Sequence, residues 1–126
     1  MSSSPLFQML DGNVLVTDAG TGAITWSGRP LDMPVRAIAS IRSHPLAVVL
    51  LDSYGAHAHA NKRRNLVCID SKGAIQWQAR LPTNDTADTY TEMHLVSAGV
   101  SAFSWSCHRV LLDTLSGKIL KDAYTK

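Results

Sequence analysis

Apolar and polar residues alternate along most of the chain in short runs, and clusters of Gly, Pro, Asp, Asn and Ser separate the runs. A period of two is typical of β-strands, because successive side chains of a strand point to opposite faces of the sheet. The pattern predicts about ten strands and almost no helix. The predicted strands are 13–18, 23–27, 35–42, 46–52, 65–70, 74–80, 91–98, 100–106, 108–113 and 118–123.

One short motif occurs three times: an apolar run that ends in aspartate, a turn that reaches glycine, and a second alternating run. Aspartate can accept a hydrogen bond from the backbone two residues on, and glycine adopts the positive φ of a tight turn, so each copy predicts a β-hairpin. The glycines recur after 51 and 44 residues, a period typical of repeats built from one small sheet each. The three copies are Asp18/Gly22/Trp26, Asp70/Gly73/Trp77 and Asp113/Gly117/Lys121.

In register with this repeat, the strands fall into two groups of four, at 35–80 and 91–123, with the first hairpin left over. The sequence therefore predicts an all-β fold of antiparallel strands, with two four-stranded, blade-like sheets and an extra hairpin, in one domain over residues 1–126. A partial propeller and an open sandwich both satisfy this pattern. A homodimer is a further way to cover the exposed sheet edges.

The repeat resembles the tryptophan-docking repeat of quinoprotein-type (PQQ-like) β-propellers. The spacing Asp-x-x-x-Gly-x-x-x-Trp is complete in the first copy and one residue shorter in the second, and the third copy has Lys121 in place of tryptophan. The resemblance implies that Trp26 and Trp77 pack between neighbouring sheets. The chain departs from the enzymes of that family, because it supplies about two and a half blades and has neither an adjacent cysteine pair nor a calcium-type acidic cluster. We therefore expect no PQQ and no other cofactor.

Composition narrows the range of partners. The chain of 126 residues has 12 Lys and Arg against 10 Asp and Glu, and a net charge of +2 does not indicate a nucleic-acid partner. No apolar run approaches the length of a membrane helix, and the first residues do not resemble a signal peptide. Cys68 and Cys107 are predicted to be buried, reduced thiols. These features favour a bacterial-type cytoplasmic protein.

Residues that could carry chemistry form no convincing catalytic set. His57 and His59 alternate and, with Asp52, offer a candidate metal site for a small hydrolase. Ser104 and Ser106 share strand parity with His108 but have no evident acidic partner. We therefore predict that the protein is not an enzyme and that no residue is catalytic or binds metal, with the metal-dependent hydrolase kept as a minor alternative.

Two long polar loops offer a surface for recognition instead. The chain resembles small bacterial orphan proteins, many of which are immunity proteins that bind and inhibit one toxin. The favoured interpretation is a non-catalytic, protein-binding module of that type, with a toxin domain as the partner. A self-associating scaffold module is the alternative. The predicted contact residues are Tyr54, His57, His59, Lys62, Arg63 and Arg64 in one loop and Asn84, Asp85, Asp88 and Tyr90 in the other.

Overall fold

The computed structural model describes residues 5–53 and 63–125. In these ranges the chain forms eleven strands and one short 3₁₀ helix at Pro30–Asp32. The strands are β1 (Pro5–Leu10), β2 (Asn13–Asp18), β3 (Ile24–Gly28), β4 (Val35–Ile41), β5 (Leu46–Leu51), β6 (Leu66–Asp70), β7 (Ile75–Gln78), β8 (Tyr90–Val96), β9 (Gly99–Ser104), β10 (His108–Leu112) and β11 (Ile119–Tyr124).

The strands form three antiparallel sheets in chain order. Blade 1 is β1-β2-β3, blade 2 is β4-β5-β6-β7 and blade 3 is β8-β9-β10-β11. The predicted all-β class and the two four-stranded sheets are confirmed. The leftover hairpin is extended by β1, which the sequence pattern did not predict. This strand has adjacent apolar pairs, Leu6-Phe7 and Met9-Leu10, and such pairs break the alternation on which the prediction rested.

The repeat shows which strands are equivalent. Each copy of the aspartate stands at the end of β2 or β6 or directly after β10, so these are the same strand of three successive blades. The strand paired before them is β1, β5 or β9. Blade 1 therefore has counterparts of the second, third and fourth strands, and among the described residues it has no counterpart of β4 or β8.

Two hydrophobic cores share blade 2. One core fills the space between blades 1 and 2, and the other lies between blades 2 and 3. Blade 2 is therefore buried on both faces, which explains why β5 and β6 have nearly unbroken apolar sequences rather than alternating ones. The first core contains Phe7, Val14, Val16, Met33, Val35, Ala47, Val49, Leu51, Val67 and Ile69. The second contains Ile41, Val48, Leu50, Leu66, Cys68, Trp77, Ala79, Tyr90, Val100, Ala102, Val110 and Leu112.

Each repeat tryptophan packs on the turn glycine of the next blade. A Cβ atom at Gly73 would overlap the indole of Trp26, and one at Gly117 would lie 2.5 Å from the ring of Trp77. The indole Nε1 of Trp77 also donates a hydrogen bond to the carbonyl of Thr114, at 2.9 Å. The packing of Trp26 and Trp77 between neighbouring sheets is confirmed. The glycines thus have two roles, because they adopt positive φ and leave room for an aromatic ring.

The repeat aspartates organise the hairpin turns as predicted. Asp18 Oδ1 accepts a hydrogen bond from the amide of Gly20 at 2.8 Å, and Asp70 Oδ1 accepts one from Lys72 at 2.9 Å. Asp113 Oδ2 accepts hydrogen bonds from both the hydroxyl and the amide of Ser116, each at 2.8 Å. These bonds to Ser116 lower the pKa of Asp113 below its usual value.

Candidate functional site

The two loops predicted to bind a partner follow β5 and β7, at the same rim of the blade stack. Their described parts meet where Arg63 Nη1 donates a hydrogen bond to the carbonyl of Asp85, at 3.2 Å. The exposed part of the second loop is 84–87. Of the predicted contact residues, Tyr54, His57, His59 and Lys62 lie outside the described residues.

Arg64 is held against the fourth strand of blade 2. Its Nη2 donates to the carbonyl of Gln78 at 2.7 Å, and its Nε donates to the carbonyl of Ala79 at 3.2 Å. The side-chain Nε2 of Gln78 donates in return to the carbonyl of Arg64, at 2.8 Å. These bonds fix the position of the guanidinium, which leaves its charge at the loop rim.

Asp88 and Tyr90 are buried, so the structure does not support their predicted role as contact residues. The Asp88 carboxylate accepts hydrogen bonds from the hydroxyls of Thr83 and Ser106, at 2.6 and 2.9 Å. It also accepts bonds from the amides of Thr89 and Ser106, each at 3.0 Å. A buried carboxylate needs such donors, and in return it ties the second loop to blade 3.

Tyr90 belongs to the core between blades 2 and 3. Its hydroxyl donates a hydrogen bond to the carbonyl of Arg80, and burial raises the pKa of this phenol above its usual range. The sequence showed Tyr90 only as the residue that follows a polar loop. Strict alternation does not predict this position, because Met93 and Leu95 of the same strand pack on this core and a register shift between Tyr90 and Glu92 brings the Tyr90 ring to the same side.

The side chain of Asn65 links blade 2 to blade 3 beneath the loop rim. The sequence analysis did not identify this residue. This fully buried side chain donates to the carbonyls of Leu51 and Tyr90, each at 2.8 Å, and accepts a bond from the amide of Tyr90 at 2.9 Å. The available signal was a single amide at the start of an otherwise apolar strand. Asn65 and Asp88 together give the exposed loop residues a rigid base.

Two adjoining clefts have a basic lining: the first lies at this rim, and the second extends from it along blades 2 and 3 to the β10–β11 turn. One, of about 390 Å³, is lined by Arg63, Arg64, Arg80, Leu81, Thr83 and Asn84. The other, of about 440 Å³, is lined by Arg64, Gln78, Arg80 and residues 116–119, which include Lys118. No carboxylate is among the residues that line them. We call this surface, defined by Arg63, Arg64, Arg80 and Lys118, the basic groove.

A larger cleft of about 770 Å³ lies at the opposite rim, between the turns of blades 2 and 3. Its lining combines apolar Leu95 and Leu115 with Ser43, His44 and Asp113. The hydroxyl of Ser43 lies 2.8 Å from Nδ1 of His44, whereas the carboxylate of Asp113 is held by Ser116. The Asp113 carboxylate therefore stabilises the β10–β11 turn.

The serines near His108 have structural partners. Ser104 Oγ lies 2.7 Å from Ser106 Oγ, and Ser106 binds Asp88. His108 Nδ1 instead faces the carboxylate of Asp122, at 2.6 Å. The structure thus does not bring Ser104 or Ser106 together with the imidazole of His108 as a nucleophile and its base.

Within 5–53 and 63–125, no group of three or more His, Cys, Asp or Glu residues is arranged to hold a metal ion. The metal site predicted from His57, His59 and Asp52 depends on two histidines outside these ranges. Cys68 is buried, Cys107 is half-buried, and both thiols are free.

The described part of the chain has no helix that is long and apolar enough to span a membrane.

Solved structures similar to this chain are β-propeller proteins. BamB from Moraxella catarrhalis matches 97% of the chain with a TM-score of 0.62 and 16% identity. The β-propeller domain of Cps50 (Swd1) from Myceliophteria thermophila matches 97% with a TM-score of 0.65 and 13% identity. KlHsv2 with a replaced loop matches 92% with a TM-score of 0.62 and 9% identity. At these identities the likeness shows a propeller-like fold.

The chain spans about a third of the length of these structures, with 33% of BamB, 38% of Swd1 and 36% of KlHsv2 covered. No curated protein matches the sequence. A family model described as a domain of unknown function (DUF7957) matches residues 30–124, which comprise the 3₁₀ helix, blade 2 and blade 3.

Proposed function

The chain belongs to the family described as Domain of unknown function (DUF7957), and we propose that it is a non-catalytic module that binds another protein through the loop rim of blades 2 and 3. The observation that carries the proposal is the basic groove, whose three arginines lie at the rim fixed by Asn65 and Asp88. A partner with exposed carboxylates would complement its charge.

A rigid recognition surface gains affinity because less conformational entropy is lost on binding. Asp88 is bonded to both Thr83 and Ser106, so the segment that carries exposed Asn84 and Asp85 is anchored at its end. Arg64 is likewise fixed by two backbone carbonyls. The groove thus combines fixed positive charge with exposed hydrogen-bonding groups, an arrangement suited to recognition by shape and charge.

The finer proposal is an immunity-type protein that inhibits a bacterial toxin in the cytoplasm. The resemblance to small bacterial orphan proteins supports it, and so does the chemistry of the groove. Catalytic clefts of nucleases and of many hydrolases present carboxylates, and a basic surface could cover such a cleft. In this proposal inhibition is steric and needs no catalytic residue on this chain.

The test compares three forms of the full chain as baits in the lysate of the source organism. The groove variant carries Arg63→Glu and Arg80→Glu, and the control carries Arg36→Glu and Arg42→Glu, which change the net charge equally on β4 and its turn. We expect one partner to be retained by the wild type and the control and lost by the groove variant. Equal retention by all three forms would reject the groove as the binding site.

The inhibitor proposal needs a second readout. The retained partner is expressed alone and with each of the three forms, and growth of the host cells is measured. We expect the partner to arrest growth alone and with the groove variant, but not with the wild type or the control. A partner that leaves growth unchanged in every case would contradict the inhibitor proposal while leaving the binding surface in place.

A further inference from the structure

The two ends of the blade stack differ in chemistry, and the internal repeat allows a comparison position by position. On the face of blade 2 that packs against blade 3, five positions hold Val48, Leu50, Leu66, Cys68 and Trp77. The strand registers place Ser101, Phe103, Arg109, Leu111 and Lys121 at the same positions of blade 3. Blade 3 therefore has serine, arginine and lysine where a following blade would require apolar side chains.

The outer face of blade 3 is closed by its own charged residues. The Arg109 guanidinium lies 5.0 Å from the centre of the Phe103 ring, and its Nη2 contacts Glu92 Oε1 at 2.8 Å. Arg109 thus covers the Phe103 ring, and Glu92 balances its charge. A polar outer face is the usual end of a stack of repeats, because it needs no further neighbour.

The outer face of blade 1 has the opposite character. The face of blade 2 that packs on blade 1 presents Ala47, Val49, Leu51, Val67 and Ile69, all of them buried. The equivalent positions of blade 1 are Leu6, Gln8, Leu10, Leu15 and Thr17. Leu6 and Leu10 are 46% and 57% exposed. Blade 1 thus shows three leucines at an end that no described residue covers.

Gly22 lies at the same end of the stack, and among the described residues no tryptophan packs against it. In blades 2 and 3 the equivalent glycines, Gly73 and Gly117, each receive the indole of the preceding blade. Gly22 has the same backbone, with φ of +74°, but no described atom lies within 4 Å of a Cβ built on it. Ile24, two residues further on, is also largely exposed.

We propose that the outer face of blade 1 is a docking surface for a β-sheet of a partner protein that inserts a tryptophan onto Gly22. The occupant is defined by the two blade contacts inside this chain: an apolar sheet face with an indole at the position of Trp26 or Trp77. This surface lies at the other end of the stack from the outer face of blade 3, and it does not depend on the basic groove.

A second copy of the chain lacks what this surface requires. In a head-to-tail assembly the copy would offer the outer face of its blade 3, with Lys121 in place of the tryptophan and Arg109 in place of Leu66. Lys121 and the ion pair of Arg109 with Glu92 would have to leave water against leucines that offer no polar group, which is unfavourable. The occupant is therefore a different sheet, and self-association becomes an outcome of the test.

The test converts blade 3 of the full chain into the missing sheet. The donor carries Arg109→Leu and Lys121→Trp, together with Leu6→Lys and Leu10→Lys, which block its own blade 1. Binding to unaltered chain is measured by calorimetry and sedimentation. We expect binding to the wild type and to a control acceptor with Leu115→Lys and Leu120→Lys, whose leucines are similarly exposed.

An acceptor with Leu6→Lys and Leu10→Lys, and a separate Gly22→Val acceptor, are expected to bind at least about tenfold more weakly, as for loss of an aromatic anchor. A donor that carries only Lys121→Trp, at an exposed site, serves if the full donor does not fold. No binding by either donor, or equal binding to every acceptor, would overturn the proposal. Wild-type chains that associate through Leu6 and Leu10 would also overturn it, because the occupant would then be a second copy.

Discussion

At the scale of single residues, Trp77 shows how one side chain can hold two sheets together. It is nearly buried, packs on Gly117 and donates its indole hydrogen to Thr114 of the next blade. Replacement by alanine removes both contacts and the buried surface of the indole. We expect Trp77→Ala to lower the free energy of unfolding by about 3–5 kcal/mol, as for other buried aromatic truncations.

Trp105 provides the matched control for this measurement. It is 56% exposed, so Trp105→Ala should change stability by no more than about 0.5 kcal/mol. Urea unfolding of both variants tests the difference. A loss for Trp77→Ala as small as that for Trp105→Ala would contradict the docking of the indole between blades.

Cys68 should make stability depend on alkaline pH. Burial, with a smaller contribution from Asp70, raises the pKa of this thiol from 9.0 to about 11. The Cys68 thiol therefore loses its proton at a lower pH in the unfolded chain than in the folded chain. As a result, this group leaves the free energy of unfolding unchanged below pH 9 and lowers it between pH 9 and 11. At pH 10 the loss should be on the order of 1 kcal/mol.

Urea unfolding at pH 8 and pH 10 measures this loss. Comparison with Cys68→Ala isolates it, because that variant should show a smaller decrease between the two pH values despite its lower starting stability. Tyr90 acts in the same direction at still higher pH, since its pKa is also raised. Identical decreases in the wild type and Cys68→Ala would show that the thiol is not buried as described.

At the scale of elements, the repeat made the hairpins predictable. Local chemistry determines a turn of the Asp70–Gly73 kind, because the aspartate bonds and the positive φ involve neighbours in sequence. The roles of Asp88 and Tyr90 were not predictable in this way. Their donors and core neighbours come from distant segments, such as Ser106, and composition alone makes such a loop look solvated.

The turn glycines of blades 1 and 3 allow two alanine substitutions to be compared. Gly117 and Gly22 have nearly the same φ, +72° and +74°, so alanine at either site costs about 1–2 kcal/mol of backbone strain. Only at Gly117 would the new Cβ also collide with Trp77. We expect Gly117→Ala to be more destabilising than Gly22→Ala by a further 1–3 kcal/mol or so.

Thermal and urea unfolding of the two glycine variants provide the comparison. Because the strain is common to both, the difference reports the tryptophan contact alone. Equal losses would mean that the ring of Trp77 moves away without cost and that the glycine is needed only for its backbone conformation.

At the scale of the whole molecule, blade 2 is the centre of the stack and the two ends are unlike. The sequence predicted the repeated sheets but not β1 of blade 1, because this strand has weak alternation and precedes the first motif. Its placing of recognition at the loop rim, with Arg63, Arg64, Asn84 and Asp85 among the contact residues, stays a prediction. The sequence analysis did not single out Arg80, which the pairing of β6 with β7 places near Arg64, or Lys118, which the packing of blade 3 on blade 2 brings to the second cleft.

Native-state hydrogen exchange, resolved to single amides, tests the three-blade stack most directly. The stack predicts the slowest exchange in β5 and β6, which are central strands buried on both faces, and faster exchange at alternate amides of β1, whose only strand neighbour in the described chain is β2. It also predicts rapid exchange in β11, which is an edge strand of blade 3. Amides of β1 protected as strongly as those of β5 in the isolated chain would contradict an open blade 1.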